Sequence, residues 1–409
     1  MNQYYYEAWR VFSEFEMDLS KVAINEPKQS LYLYREDMDR TMMVSMMPLS
    51  EIGKGRHSCM EMLYNPLEDR GEMIVAINLN WFEHKFGNID MDSIIQFLAR
   101  KKAFVNKKKK VTLLALGDVG STLAIGLKLL GGEVIESLGI CDIDEAQKKR
   151  WEMELNQIVL NPDLKILPIE IEALFDSDLF IFCASKFVPK VGDEKRDVRM
   201  IQFEENSKLI SHYAKMARAK KFEGIFAVVS DPVDLLCRKA FEASNQNELM
   251  IEDHDGLLPE QVVGFGLGVM DGRAKYYSDI LGFEYRENGR VFGPHGKDLV
   301  VASNVRDENQ ENSILLTSKV VSANLEMRAL GYKPYVAPAL SSGAYSILAF
   351  ISGESHFSAH FLEGVYWGTR NRLNEYGVEM EHIKLSSSLR ERVQKSYEIL
   401  EETWQELNA

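Results

Sequence analysis

Residues Leu113–Ala124 read LLALGDVGSTLA: an apolar run breaks at a glycine turn, and helix-forming sequence follows at once. Gly117 and Gly120 hold the second and third places of a G-x-G-x-x-G turn, with Ala115 at the first. In such a turn Gly117 lets the backbone approach a pyrophosphate, and Gly120 lets the helix pack closely on its strand. The helix then opens through Asp118 and Val119, presenting N–H groups and a positive dipole end to the anion. The next apolar segment, VIESLGICD, ends on Asp142, at about the spacing where a carboxylate meets a ribose 2′-hydroxyl. An acid there favours NAD over NADP, because a 2′-phosphate would meet a negative charge. Asp144, two residues on, is the alternative contact. A tight βα turn with an acidic strand end and no ligand is the plain structural alternative.

Around this stretch the chain alternates strands and helices. VTLLALG predicts a buried strand and DVGSTLAIGLKLLG a helix ending in glycines. VIESLGICD predicts a strand, EAQKKRWEMELNQI a helix, and DLFIFCAS and GIFAVVS further strands, each with a helix after it. Such alternation implies a parallel sheet covered by helices on both faces. After about residue 255 the pattern turns to mixed strands and longer helices, closing on the amphipathic SLRERVQKSYEILEETWQEL. The expected fold is therefore α/β: a Rossmann-type doubly wound parallel sheet (109–254), then an α+β C-terminal catalytic domain (255–409). A small N-terminal α+β unit (1–108) precedes them. In it SLYLYRED, TMMVSMMPL and EMIVAINLNWF suit strands, flanked by helical patterns in YYYEAWRVFSEFEMDL and MDSIIQFLARKKAF. No catalytic motif appears in that unit, and His57, Cys59 and His84 have no metal-ligand spacing.

Composition limits the function classes. With 48 Lys+Arg against 62 Asp+Glu the formal net charge is −14, so a nucleic-acid backbone offers no counterion-release gain. The basic run Lys107–Lys110 reads as a solvated lead-in to the following strand. The 4 Cys lack CxxC spacing, which suits a reducing cytoplasm. MNQYYYEAWRVF has no basic n-region or apolar h-region, and no apolar stretch approaches the roughly 18 residues of a membrane span.

From about Val111 onward the chain resembles the lactate/malate dehydrogenase family, the L-2-hydroxy-acid dehydrogenases. CDIDEAQKKRWEMELNQ resembles the family's acid-ended strand and following helix, and ENSKLISHYAKMA its helix after the active-site loop. VVSDPVDLLCRKA resembles the Asn-Pro-Val-Asp turn, VFGPHGKDLVVASNV the Gly-x-His-Gly motif and VYWGTRNRLNEYGVE the late hairpin. The resemblance implies NAD as cofactor, a small 2-oxo or 2-hydroxy acid as substrate and a homo-oligomer. It implies that His295 exchanges a proton with the substrate oxygen, a task suited to a group that titrates near working pH. It places a carbonyl-polarising cation at Arg199, with Arg196 or Lys195 as alternatives because DEKRDV lengthens that loop. The position that selects the substrate side chain falls on Val188 or Pro189. A second substrate carboxylate would find no Arg fork there, which leans away from malate.

Two departures from the family pattern bear on chemistry. The family's Asn before Pro is Asp231, which accepts where an amide would donate; it reads either as a helix N-cap or as a group beside the substrate. The family also sets an Asp that orients the His three residues before an Arg that clamps the substrate carboxylate. Here Asp271 and Arg273 are two apart and diverge by about 160° on a regular helix. Aligning Asp271 leaves Ala274 at the Arg position; aligning Arg273, which gapless counting favours, leaves Met270 at the Asp position. The loss of this pair also admits a second reading, a protein that keeps the dinucleotide site and has lost efficient turnover.

Overall fold

The computed structural model describes residues 1–17, 27–54, 58–69, 71–186 and 198–407. The N-terminal part contains β1 (Asn2–Tyr6), β2 (Trp9–Ser13), β3 (Gln29–Tyr34), β4 (Val44–Pro48), α1 (Cys59–Tyr64), β5 (Met73–Asn78), α2 (Leu79–Phe86) and α3 (Met91–Val105). The central part runs β6 (Lys109–Leu114), α4 (Asp118–Leu130), β7 (Ile135–Cys141), α5 (Glu145–Asn156), β8 (Lys165–Pro168) and β9 (Leu179–Phe182). It continues through α6 (Val198–Ala219), β10 (Ile225–Val228), α7 (Val233–Ser244) and β11 (Val262–Gly264). The C-terminal part holds α8 (Leu267–Leu281), β12 (Arg290–Phe292), β13 (Val300–Ala302), α9 (Gln310–Ala329) and α10 (Ser346–Ile351). It ends with β14 (His356–Leu362), β15 (Val365–Leu373), β16 (Val378–Met380) and α11 (Ser387–Leu407).

The central strands lie side by side in the order β11-β10-β9-β6-β7-β8, all parallel. The chain winds outward from β6 through β7 to β8, then returns beside β6 at β9 and winds the other way. This is the doubly wound dinucleotide-binding order, with its switch point between β6 and β9. Both faces are buried, which is why the strands read as unbroken apolar runs. Phe180 and Phe182 enter one core while Leu179 and Ile181 enter the other, as the two-residue strand period requires.

The sheet does not stop there. β11 pairs with β14, and β14, β15 and β16 form an antiparallel run. β16 meets β4 in parallel at Val378 and Ser45, so the N-terminal strands extend the same 14-stranded sheet. Between its N-terminal and central parts the buried Glu260 carboxylate accepts N–H groups from Met43 (3.1 Å) and Val44 (3.2 Å).

Two expectations are corrected. YYYEAWRVF is no helix but the β1–β2 hairpin, turned at Glu7 with φ 51°. Its alternation decides this: Trp9, Val11 and Ser13 point inward and Arg10 and Phe12 less so, a period of two rather than 3.6. Lys109, within the basic run, is buried rather than solvated. Its ammonium donates to the carbonyls of Phe104 (2.6 Å) and Val105 (3.1 Å), capping the end of α3, while burial lowers its pKa to about 8.

Candidate active site

Because β6, β7, β9 and β10 are parallel, the turns after them share the carboxyl edge of the sheet, where open α/β sheets bind ligands. The turn after β6 sits at the switch point. Ala115 there adopts φ 75°, a left-handed conformation that glycine takes freely and that costs an L-residue about 1–2 kcal/mol. A Cβ on Gly120 would lie 1.9 Å from the Ala115 carbonyl oxygen, so only glycine lets α4 start this close to the turn. Gly117 differs: a Cβ there would meet nothing within 4 Å, and its φ of −67° suits any residue. Protein packing does not demand this glycine. The open space it leaves, at a helix N-terminus with no side-chain cap, fits a pyrophosphate.

Asp142 closes the turn from the other side. One oxygen accepts from the Leu116 N–H (2.6 Å) and the other from the Asp144 N–H (2.9 Å), which holds the carboxylate at the end of β7. Asp144, the alternative ribose contact, caps α5 by accepting from Ala146 N–H (2.9 Å) and Gln147 N–H (3.3 Å). Asp118 is exposed in the first turn of α4, 3.6 Å from the Lys333 ammonium, and Val119 is half-buried behind it. The residues present therefore fit a nicotinamide dinucleotide: an open, uncapped helix N-terminus at Gly117 suits its phosphates, and a fixed carboxylate at the end of β7 suits a ribose hydroxyl.

Farther along the edge, the loop between β12 and β13 carries His295. Gly293 enters it at φ 97°, where a Cβ would lie 2.7 Å from the Ser396 hydroxyl. The His295 N–H donates to Asp234 (2.7 Å), and its ring rests on the backbone of Gly266, where a Cβ would fall 2.8 Å from the imidazole Cγ. The Nδ1 atom lies 2.9 Å from Asp231 Oδ1. A carboxylate accepts, so Nδ1 carries a proton and donates, leaving Nε2 for chemistry. Nε2 is buried and has no hydrogen-bond partner among the described residues.

This corrects two expectations. The partner of His295 is Asp231, not Asp271. Asp271 accepts from Lys275 (2.6 Å) and Tyr285 (3.0 Å), on the side of α8 turned away from Arg273, as a two-residue spacing dictates. Asp231 does not cap α7 either. Pro232 occupies the cap position, the helix starts at Val233, and the Asp231 carboxylate is left to turn toward the imidazole.

Arg273 is half-buried in α8. It donates to the Asn324 side-chain oxygen Oδ1 and lies 3.6 Å from the Met270 sulfur. Desolvation lowers its pKa, and the Asp231 charge opposes that shift. Asp234, fully buried beneath His295, is raised by desolvation to about 6 despite the hydrogen bond from His295. Val188, Pro189, Lys195, Arg196 and the side chain of Arg199 lie outside the described residues.

Several supporting groups were not singled out by sequence. Buried Asn206 on α6 donates to the Asp231 carbonyl (2.9 Å) and accepts from the Lys186 N–H (3.0 Å), while Ser230 donates to the Ala184 carbonyl (2.8 Å). Together they lace the turns after β9 and β10. Their only sequence signal is a polar residue at an apolar position, and that signal does not name the partner.

Comparison with known proteins agrees with this geometry. Residues 109–251 match the NAD binding domain of lactate/malate dehydrogenase. An L-lactate dehydrogenase of Staphylococcus saprophyticus is 30% identical over 194 residues, covering 46% of this chain and 55% of that protein. L-lactate dehydrogenase 2 of Staphylococcus aureus is 25% identical over 326 residues, 72% of this chain and 96% of its own. In fold, the malate dehydrogenase of Archaeoglobus fulgidus in complex with NADH superimposes with TM-score 0.61 at 22% identity, over 73% of this chain and 100% of that one. The minor L-lactate dehydrogenase of Enterococcus mundtii does so with TM-score 0.60 at 20% identity, over 73% and 98%. With the NAD-binding turn, the doubly wound order and the His loop all in place, the chain is similar to the lactate/malate dehydrogenase family, whose NAD binding domain its residues 109–251 match.

Proposed function

We propose that this protein is an NAD-dependent oxidoreductase that interconverts a 2-hydroxy acid and a 2-oxo acid, with Val188 or Pro189 at the selecting position favouring a substrate other than malate. One observation carries the reading: His295 holds a proton-bearing Nδ1 against Asp231 and presents a buried Nε2 with no partner among the described residues. Bound NAD supplies or accepts the hydride. As the substrate carbonyl is reduced, His295 gives the Nε2 proton to its oxygen; in the reverse direction it takes that proton back. Asp231 fixes the ring's orientation and stabilises the imidazolium. Arg273 binds the substrate carboxylate, exchanging its bond to Asn324 for a stronger charge-assisted one. Arg199, or Arg196 in its place, polarises the carbonyl. Asp142 repels a 2′-phosphate and so restricts the cofactor to NAD.

The same proposal divides the chain at 108/109 and 254/255, which the match over 109–251 supports, and includes a homo-oligomer. The exposed apolar side chains Tyr276 and Ile280 of α8 and Leu325 of α9 suit burial against a second copy.

An NADH-oxidation screen across 2-oxo acids tests the assignment, with calorimetric titration of NADH and NADPH beside it. The expected result is turnover of at least one acid, NADH binding tighter than NADPH, and loss of turnover with retained NADH binding in His295→Asn. Tight NADH binding with no acid reduced would instead identify a binding protein that has kept the cofactor site and lost the chemistry.

A further inference from the structure

Asp39, in the turn after β3, meets the loop after α7 some 200 residues later in the chain, where Glu252 and His254 stand. One ligand atom from each of the three lies within 4.8 Å of the others. His254 Nε2 is 3.7 Å from Asp39 Oδ1, and Nδ1 is 3.9 Å from Glu252 Oε1. Those separations are too long for hydrogen bonds. Either separation suits one ring nitrogen and a carboxylate oxygen around an ion, since two ligands each about 2.1 Å from a metal lie roughly 3–4 Å apart, and only one of the two nitrogens can serve.

Two of these donor atoms are unsatisfied. Asp39 Oδ1 and His254 Nδ1 are buried and have no hydrogen-bond partner among the described residues. The imidazole is also held in place, with its ring edge-on to the buried Trp81 at 5.3 Å and to His84 at 6.1 Å. Burial, with the Asp39 charge adding to it, raises the Glu252 carboxyl, a cost that a cation would relieve. The nearby cations are partly committed: Lys85 donates to the Gly256 carbonyl (2.8 Å), and Arg218 forms a two-bond pair with Asp253 (2.6 and 2.7 Å). Arg238 stacks over Phe241, Phe361 and Trp404, and its charge offsets the rise of the Glu252 carboxyl only in part.

The geometry points to a divalent-cation site made by Asp39, Glu252 and one nitrogen of His254. One imidazole with two carboxylates suits a borderline ion such as Zn²⁺ better than Mg²⁺, which prefers oxygen ligands and water. The bound ion ties the N-terminal strands to the last loop of the dinucleotide-binding unit. It lies apart from His295 and does not depend on the dehydrogenase reading.

Calorimetric titration of the EDTA-treated full chain with ZnCl2, and separately with MgCl2, tests the site. The expected result is one equivalent of Zn²⁺ bound, no comparable Mg²⁺ binding and a Zn²⁺-dependent rise in melting temperature. Asp39→Asn and His254→Gln should each raise the Kd at least tenfold and remove that rise. Asp39 lies in a half-exposed turn, so its variant carries the test if His254→Gln folds poorly. The absence of stoichiometric binding at micromolar Zn²⁺, or equal affinity in wild type and Asp39→Asn, would overturn the assignment.

Discussion

At the residue scale, the site turns on which carboxylate holds His295. Asp231 lies 2.9 Å from Nδ1, while Asp271 is occupied by Tyr285 and Lys275. Asp231→Asn should therefore lower kcat by about a hundredfold or more, because an amide neither fixes the same tautomer nor stabilises the imidazolium. Asp271→Asn should leave kcat within a few-fold and instead lower stability by about 1–3 kcal/mol, because it disturbs a buried hydrogen bond to Tyr285. Steady-state kinetics and urea unfolding of both variants decide the matter. An active Asp231→Asn beside an inactive Asp271→Asn would return the role to α8. The residue pattern pointed to His295 and to the anomaly at Asp231. It did not pair the two, because they are 64 positions apart and only the packing of the β12–β13 loop on Gly266 brings them together.

At the level of the element, the turn between β6 and α4 combines strain with close approach. Ala115 sits at φ 75°, and a Cβ on Gly120 would strike the Ala115 carbonyl at 1.9 Å. Ala115→Gly should raise stability by about 0.5–1 kcal/mol, the left-handed strain it relieves being partly offset by the freer unfolded chain. Gly120→Ala should destabilise by about 3 kcal/mol and weaken NADH binding, because α4 must back away from its strand. Thermal unfolding and NADH titration of both proteins check this, and a Gly120→Ala protein as stable as wild type would contradict the close packing described. The alternation of strand and helix in this region was legible because both faces of each strand are buried. β8, with one buried residue in four, carried too little apolar signal to be seen. The β1–β2 hairpin was misread because its aromatic residues fit a helical stripe as well as a strand.

Across the whole molecule, the sheet carries buried histidines whose neutral state is part of the fold. His356 donates from Nδ1 to the Glu354 carbonyl and accepts the Ser358 hydroxyl at Nε2 (2.9 Å), and His360 Nε2 lies 3.0 Å from Asn371 Oδ1. Burial lowers His356 to about 4, His360 to about 3 and, in the segment after β16, His382 to about 4. In the unfolded chain each would titrate near 6.5. Between that value and the folded one the unfolded state binds more protons, so stability is complete above about pH 6.5 and falls as the pH drops toward 4, by about 1.4 kcal/mol per pH unit for each such group. Asp234, raised to about 6, works in the opposite sense over part of this window, so the three histidines outweigh it. Urea midpoints should fall steadily from pH 7.5 to 5, and a midpoint that stays level would show that these imidazoles are not held neutral.

The sequence by itself determined the dinucleotide-binding turn, the alternating core strands and the histidine loop. Each of these rests on local requirements: a glycine where a helix must start close to its strand, apolar runs where both faces are covered, a titratable ring between glycines. Only the tertiary structure decided that Asp231 rather than Asp271 holds the imidazole, that the N-terminal strands join the main sheet through Ser45 and Val378, and that Asp39 meets His254. Those are contacts between residues far apart in the chain. Hydrophobic periodicity fixes which face of an element is buried, but it carries no information about which distant polar group will be found there.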